Sequence, residues 1–128
     1  MRCLLDSHAF LWFIHGDTRL GARAREAISD SKNQILVSTA TLWEIAIKVS
    51  LGKLELEASL PDLFSRWILG NRIELLPIEP RHTFLLTTLD FHHRDPFDRM
   101  IIAQAMVGGM TVVSRDGDFH KYPIQIVW

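Results

Sequence analysis

Four carboxylates in this chain stand where a carboxylate can do more than solvate a surface. Asp6 ends the apolar run RCLL, Glu44 interrupts TLWEIAIKVSL, Asp98 lies near the start of DPFDRMIIAQA, and Asp116 follows TVVSR. Converging in one cleft, such groups repel one another, and without a counter-charge some must bind protons at neutral pH. Hard divalent cations resolve the conflict. Mg²⁺ takes oxygen ligands, is commonly held by one or two carboxylates, keeps several waters and leaves positions for phosphate oxygens. Mn²⁺ suits the same ligands. One or two such ions on these four residues would activate water and stabilise the leaving oxygen in phosphodiester hydrolysis.

Each carboxylate also has a purely structural alternative. Asp6 and Asp116 could be turn or N-cap residues. Asp95 precedes Pro96, which makes it the predicted N-cap of a helix with Asp98 at N3, each favoured there by roughly 0.3–1 kcal/mol. Capping accounts for Asp95. Asp98 shares a stripe with Ile101, Ile102 and Ala105, which must face the core, so its side chain is predicted to point inward along a sheet edge. Glu44 could form an exposed i,i+4 pair with Lys48, worth only about 0.3–0.5 kcal/mol. A helix apolar nearly all round leaves little exposed face for that pair, which favours an inward Glu44.

The elements that must position these residues are legible as two alternating patterns. Arg2 to Leu5, Ile35 to Val37, Ile73 to Leu76, Thr111 to Val113 and Ile124 to Val127 are short apolar runs bounded by polar residues or proline, as doubly covered strands should be. Helical patterns occupy residues 9–14, 22–30, 40–51 closed by Gly52, 61–71 after a Ser59 cap, 81–89, and 96–107 closed by Gly108. Strands alternating with helices predict an α/β fold. The expected form is a three-layer α/β/α sandwich with a central, mainly parallel sheet of four to five strands, built as one domain over residues 1–128. Ligands of such sheets bind beyond the carboxyl ends of the strands, where Asp6 and Asp116 emerge.

Composition bounds the partners. A chain of 128 residues, 48% hydrophobic and 23% charged, can bury roughly two-thirds of its unfolded surface. A net charge of −1 and a pI near 6.6 provide no global field for a polyanion, so nucleic acid would have to be held by metal or by a local patch. Arg94, Arg99, Arg115, Lys48 and Lys53 are the candidates for that patch. The lone Cys3 excludes an intrachain disulfide and a cysteine-rich metal site and fits a reducing cytoplasm. Asp6 and His8 break the N-terminal apolar run too early for a signal peptide, and no run approaches the ~18 apolar residues of a membrane span. The pair His92 and His93 raises a metal-free acid–base mechanism, but that would leave the inward carboxylates without a purpose. Neighbours on an extended segment also point in opposite directions, so one of the pair, His93, is read as hydrogen-bonding support for the site. His15, His82 and His120 show no ligand spacing and are expected at the surface or core edge, and the four Trp and seven Phe are an ordinary core inventory.

Taken in order, LLDSHAFLW, VSTATLWEIAIKVSLGKL, HHRDPFDRMIIAQA and VVSRDGDF followed by YPIQIVW span essentially the whole chain. Together they resemble the PIN-domain ribonucleases, and specifically the VapC-type toxins of bacterial toxin–antitoxin pairs. The resemblance implies a PIN-like sandwich, a Mg²⁺- or Mn²⁺-dependent endoribonuclease acting on RNA in the cytoplasm, a dimer, and inhibition by a small cognate antitoxin. By position, the family's acidic residues fall on Asp6, Glu44, Asp98 and Asp116. Ser114 matches the small hydroxyl residue before the last acid, there to orient a carboxylate or a metal-bound water. Asp95 recurs in the DPFDR block, which implies support of the metal site in addition to capping. Ser7 stands where the family more often has threonine, and Asp118 has no fixed place and is read as a loop residue. The apolar surplus of the 40–51 helix is read as a homodimer or antitoxin interface. Two other functions compete. A receiver-like Mg²⁺-binding module needs an adjacent acid pair near the first strand, and Arg2 to His8 offers only Asp6. A non-catalytic RNA-binding protein would have no need of all four acids.

Overall fold

Alternation along the first strand sets the layers: Cys3 and Leu5 point into one core while Leu4 points into another. The computed structural model describes residues 1–70 and 72–128. Its strands are β1 (Arg2–Leu5), β2 (Gln34–Ser38), β3 (Glu74–Leu76), β4 (Thr111–Val113) and β5 (Gln125–Val127). They form one sheet in the order β3-β2-β1-β4-β5 with every pairing parallel. Leu4, Leu36, Val37, Val112 and Val113 are almost fully buried, as expected where helices cover both faces.

The helices are α1 (Ser7–Ile14), α2 (Ala22–Ser29), α3 (Thr39–Ser50), α4 (Leu60–Phe64), α5 (Pro80–Leu86) and α6 (Pro96–Gly108). One core gathers Phe10 of α1, Ile28 of α2, Ile45 of α3 and Leu63 of α4 against Cys3, Leu5 and Val37. The opposite core gathers Ile101, Ile102 and Ala105 of α6 against Leu4, Leu36 and Val112. The predicted three-layer sandwich is therefore the observed one, and no helix is long and apolar enough to cross a membrane among the described residues.

Several boundaries shift by one to three residues from the sequence reading, as where the helix expected over 81–89 is observed over Pro80–Leu86, and two of the differences have a clear local cause. The helix expected over 61–71 is α4 followed by a π-helical turn, Ser65–Leu69, whose wider turn brings the neighbours Trp67 and Ile68 closer to one face, and both pack on the core. Asn71, its predicted end, lies outside the described residues. The last helix closes on Gly109 rather than Gly108. Gly109 takes the left-handed conformation at φ 62° that a terminal glycine accepts without strain, and Met110 N–H reaches back to the Ala105 carbonyl at 3.0 Å.

The strand order places the site. β1 and β4 are neighbours from which the chain winds outward in opposite directions, so the crevice beyond their carboxyl ends is a topological switch point. Asp6 and Ser114 are the first residues past those two strands.

Candidate metal centre

Asp6 leaves β1 as the N-cap of α1, its carboxylate accepting from Ala9 N–H at 2.8 Å. Burial raises its pKa above the usual carboxylate value, opposed by hydrogen bonds from Ser114 and the Ala9 amide. Ser114 is itself buried and accepts from Asp116 N–H at 3.0 Å, so one hydroxyl ties the first carboxylate to the backbone of the last. Asp116 then caps the 3₁₀ turn Gly117–Lys121 through the Asp118 amide at 2.9 Å.

Glu44 is buried on α3 with both oxygens engaged: the Ser7 hydroxyl donates to Oε1, and Lys48 Nζ lies 3.0 Å from Oε2. The i,i+4 pair with Lys48 that the sequence disfavoured does form, although Glu44 still points inward. Lys48 is long enough to reach the carboxylate from the rim, which joins the two alternatives instead of choosing between them.

Asp95 caps α6 as expected, with Oδ1 accepting from the Phe97 and Asp98 amides at 2.9 and 3.0 Å. Asp98 turns inward, and its carboxyl is pushed up to about 7 by burial first, then by the charges of Asp95, Asp6 and Glu44, with His93 opposing. Asp6, Glu44, Asp98, Asp116 and Asp95 line one cavity of about 300 Å³, together with Lys48 and Arg115. Two of these acids, Asp98 and Asp116, form a tight group with His93, their ligand atoms all lying within 4.8 Å of one another.

His93 has a larger part than the sequence suggested. Its Nε2 lies 2.7 Å from Asp116 Oδ2 and 3.2 Å from Asp98 Oδ2, while Nδ1 accepts from Asp95 N–H at 3.2 Å. Burial alone would lower its pKa, but the Asp116 hydrogen bond and the charges of Asp98, Asp116 and Asp118 outweigh it and hold the imidazole above its ordinary value. One ring thus stands between two carboxylates that would otherwise face each other uncompensated.

Of the five candidate RNA contacts, Arg99 is a correction. It is buried, and its guanidinium donates to the carbonyls of Asp90 at 2.9 Å, His93 at 3.3 Å and Leu89 at 3.1 Å while lying 3.8 Å from the Phe91 ring centroid. It holds the loop that presents His93, and its burial keeps the guanidinium away from a nucleic-acid backbone. Arg94 and Arg115 are exposed, and Arg115 lines the acidic cavity. Lys53 is exposed on a neighbouring cavity. Asp118 belongs to the 3₁₀ turn and pairs with Lys121 at 2.9 Å. His82 is buried in a capping box with Glu79, whose amide donates to its Nδ1 at 2.9 Å.

Sequence reasoning missed two supporting residues. Ser7 was visible only as a neighbour of Asp6, and nothing local marks it as the partner of Glu44. Tyr122 accepts from His93 N–H at 2.9 Å and donates to the Asp90 carbonyl at 2.7 Å, a pairing between chain segments far apart that no spacing reveals.

Carboxylates and one imidazole gathered at the switch point of an all-parallel sheet define an α/β protein with an acidic, cation-receptive site. The PIN domain profile matches residues 3–125, and the chain belongs to the PIN-domain family, a family of nucleases. Its fold is similar to that of VapBC2 from Rickettsia felis, solved with a DNA fragment from the promoter, at 17% identity and TM-score 0.67, covering 99% of this chain and 98% of that one. DNA-bound VapBC from Salmonella typhimurium is similar at 20% identity and TM-score 0.68, with 99% and 97% covered. A toxin–antitoxin complex from Klebsiella pneumoniae is similar at 17% identity and TM-score 0.64, with 98% and 96% covered. A comparison with curated proteins yields no significant match.

Proposed function

We propose that this protein is a divalent-metal-dependent endoribonuclease, the VapC-type toxin of a toxin–antitoxin pair, acting in the cytoplasm. The observation that carries the reading is the convergence of Asp6, Glu44, Asp98 and Asp116 on one cavity at the switch point of a PIN-domain sheet. Their donor set suits Mg²⁺ or Mn²⁺: hard oxygen atoms, with Asp98 driven toward protonation by burial and then by its acidic neighbours, a cost that a bound cation would offset. Asp98 and Asp116 would be the principal ligands, with Asp6 and Glu44 completing the set for one or two ions. When bound, the cation supplies Lewis-acid activation of water and neutralises charge at the phosphate.

The chain's own residues do the positioning. Ser114 holds Asp6 and the Asp116 backbone in one geometry, and Ser7 and Lys48 hold Glu44. His93, with Nδ1 occupied by the Asp95 amide, keeps its proton on Nε2 against Asp116. Arg115, exposed at the rim, meets the phosphate backbone there. The receiver-like alternative requires strand order 2-1-3-4-5, whereas the observed order is 3-2-1-4-5.

Incubating the protein with single-stranded RNA in Mg²⁺ or Mn²⁺, in EDTA, and with DNA of the same sequence tests the activity. Cleavage of RNA with metal and none in EDTA is expected. Full cleavage in EDTA would sink the metal mechanism, and binding without cleavage under any metal would leave a non-catalytic RNA-binding protein. The solved neighbours are toxin–antitoxin assemblies, which supports an antitoxin partner here. A short reading frame immediately upstream, whose product co-purifies with this chain and blocks cleavage, is the corresponding expectation. The exposed apolar residues Trp43 on α3 and Leu51 at its C-terminal cap support a homodimer.

A further inference from the structure

A second cavity, of about 310 Å³, adjoins the acidic one, and the two share a wall of Ser7, His8, Glu44 and Lys48. Its charges are already matched. Arg19 Nη2 lies 2.7 Å from Asp17 Oδ2 and Lys48 Nζ 3.0 Å from Glu44 Oε2, and the remaining charged lining residues, Lys53 and Glu55, have opposite signs. Such a lining has no net charge with which to draw a phosphate. Its lining instead includes the aromatic rings of His8, Trp12 and His15. The His8 ring stacks on Trp12 with centroids 5.1 Å apart and planes at 14°, and the guanidinium carbons of Arg19 and Arg115 lie 4.8 and 4.9 Å from the Trp12 ring centroid. His8 is exposed, so a further ring can stack on its outer face. His15 also lines the cavity, and its Nε2 is buried without a hydrogen-bond partner among the described residues. A buried polar nitrogen left in that state costs stability, and a partner with a polar edge removes the cost.

We propose that this cavity is a nucleobase subsite, taking the uncharged base of the nucleotide next to the phosphate at the acidic cluster, with His8 stacking on it and His15 hydrogen-bonding its edge. The assignment rests on the ribonuclease reading for its neighbour, since the shared wall places the two cavities within one strand's reach. Bases of single-stranded RNA are recognised by stacking on aromatic and guanidinium planes and by hydrogen bonds to their edges. The size is at the small end for ligand sites, suited to one nucleoside rather than a length of peptide.

Titrating the full protein with adenosine, guanosine, cytidine and uridine in EDTA, followed by amide chemical shifts, tests the subsite. Saturable shifts are expected at residues 7–19 and 44–55, with one or two of the four nucleosides preferred. His8→Ala should weaken that binding at least roughly fivefold. His15→Phe, which keeps an aromatic ring but no polar edge, should flatten the preference among the four. Shifts confined to residues 95–98 and 114–118, or absent up to the solubility limit, would overturn the proposal. So would equal shifts from N-acetyltryptophanamide, which would mark a generic aromatic contact suited to a protein partner. Because the titration contains EDTA and reads binding, it is independent of cleavage. Nucleoside binding here in a protein that cuts nothing would defeat the nuclease reading alone, and RNA cleavage without nucleoside binding would defeat the subsite alone.

Discussion

Asp98 is subject to two opposing effects: a helix N-terminus that favours its charge and a buried acidic neighbourhood that disfavours it. The second wins, since the carboxyl is pushed up to about 7 from 3.8 by burial and by Asp95, Asp6 and Glu44. Between about pH 4 and 7 the folded chain therefore holds a proton that the unfolded chain releases. The stability this confers is complete below about pH 4 and is lost as pH rises through 7. Raised His93 acts in the same direction. The melting temperature of the metal-free protein should accordingly fall from pH 5 to pH 8 in calorimetry. Asp98→Asn, which cannot titrate, should flatten the slope and melt roughly 3 °C or more above wild type at pH 8, while RNA cleavage drops by more than roughly a hundredfold. A variant that melts several degrees lower and still cleaves would return Asp98 to capping alone. Added Mg²⁺ or Mn²⁺ should raise the wild-type melting temperature, by the equivalent of roughly 2.7 kcal/mol at a hundredfold excess over Kd. Asp98→Asn and Asp116→Asn should lose that rise, and equal stabilisation of all three proteins would place the ion elsewhere.

At the scale of elements, α6 and the loop before it act as one unit. Asp95 starts the helix, Arg99 from its next turn grips the carbonyls of Leu89, Asp90 and His93, and Tyr122 closes the loop from the far side. Arg99→Ala removes a buried charged donor and frees carbonyls that water cannot easily reach, at a cost of about 2–4 kcal/mol in chemical unfolding. It should also blunt metal binding, because His93 loses its anchor. Arg94→Ala, on the exposed side of the same loop, should change stability by less than about 0.5 kcal/mol. Its effect should appear in RNA affinity, with the salt dependence reduced by about one phosphate contact. If the two substitutions behaved alike, the division of labour between the arginines would be wrong. At the other end of α6, Gly109→Ala should cost about 1 kcal/mol, since any side chain at φ 62° is strained.

For the whole molecule, α3 is the element with two obligations. Its inner face carries Glu44 and Ile45, both buried, while Trp43 is 62% exposed and Leu51 61% exposed. Trp43 rests edge-on against Phe97 of α6, 5.2 Å between centroids, so the apolar patch spans two helices next to the acidic cavity. Self-association through this patch predicts that wild type sediments as a dimer and that Trp43→Glu sediments as a folded monomer. A wild-type monomer at every concentration tested would leave the patch to the antitoxin.

Local pattern and distant pairing divide what could be known before the fold was seen. The five short apolar runs, the Asp95–Pro96 helix start and the i, i+3, i+4 stripe beyond Asp98 are local features, and periodicity with capping chemistry was enough to place strands, helices and the inward turn of Asp98. Because parallel strands send their carboxyl ends to one edge, Asp6 and Asp116 already shared that edge in the sequence reading, while the β3-β2-β1-β4-β5 order that makes their strands neighbours belongs to the fold. The fate of the cations and of His93 was not accessible in that way. Whether Arg99 meets RNA or a loop carbonyl, whether Lys48 reaches Glu44, and whether His93 bridges Asp98 and Asp116 depend on the surface each element turns toward another. That is settled by packing between segments far apart in the chain, and composition and spacing carry no record of it. The sequence by itself determined the sheet, its acidic edge and the residues on it; only the tertiary structure decided which charges face each other there, because electrostatic pairing depends on distances of a few ångströms that local pattern does not encode.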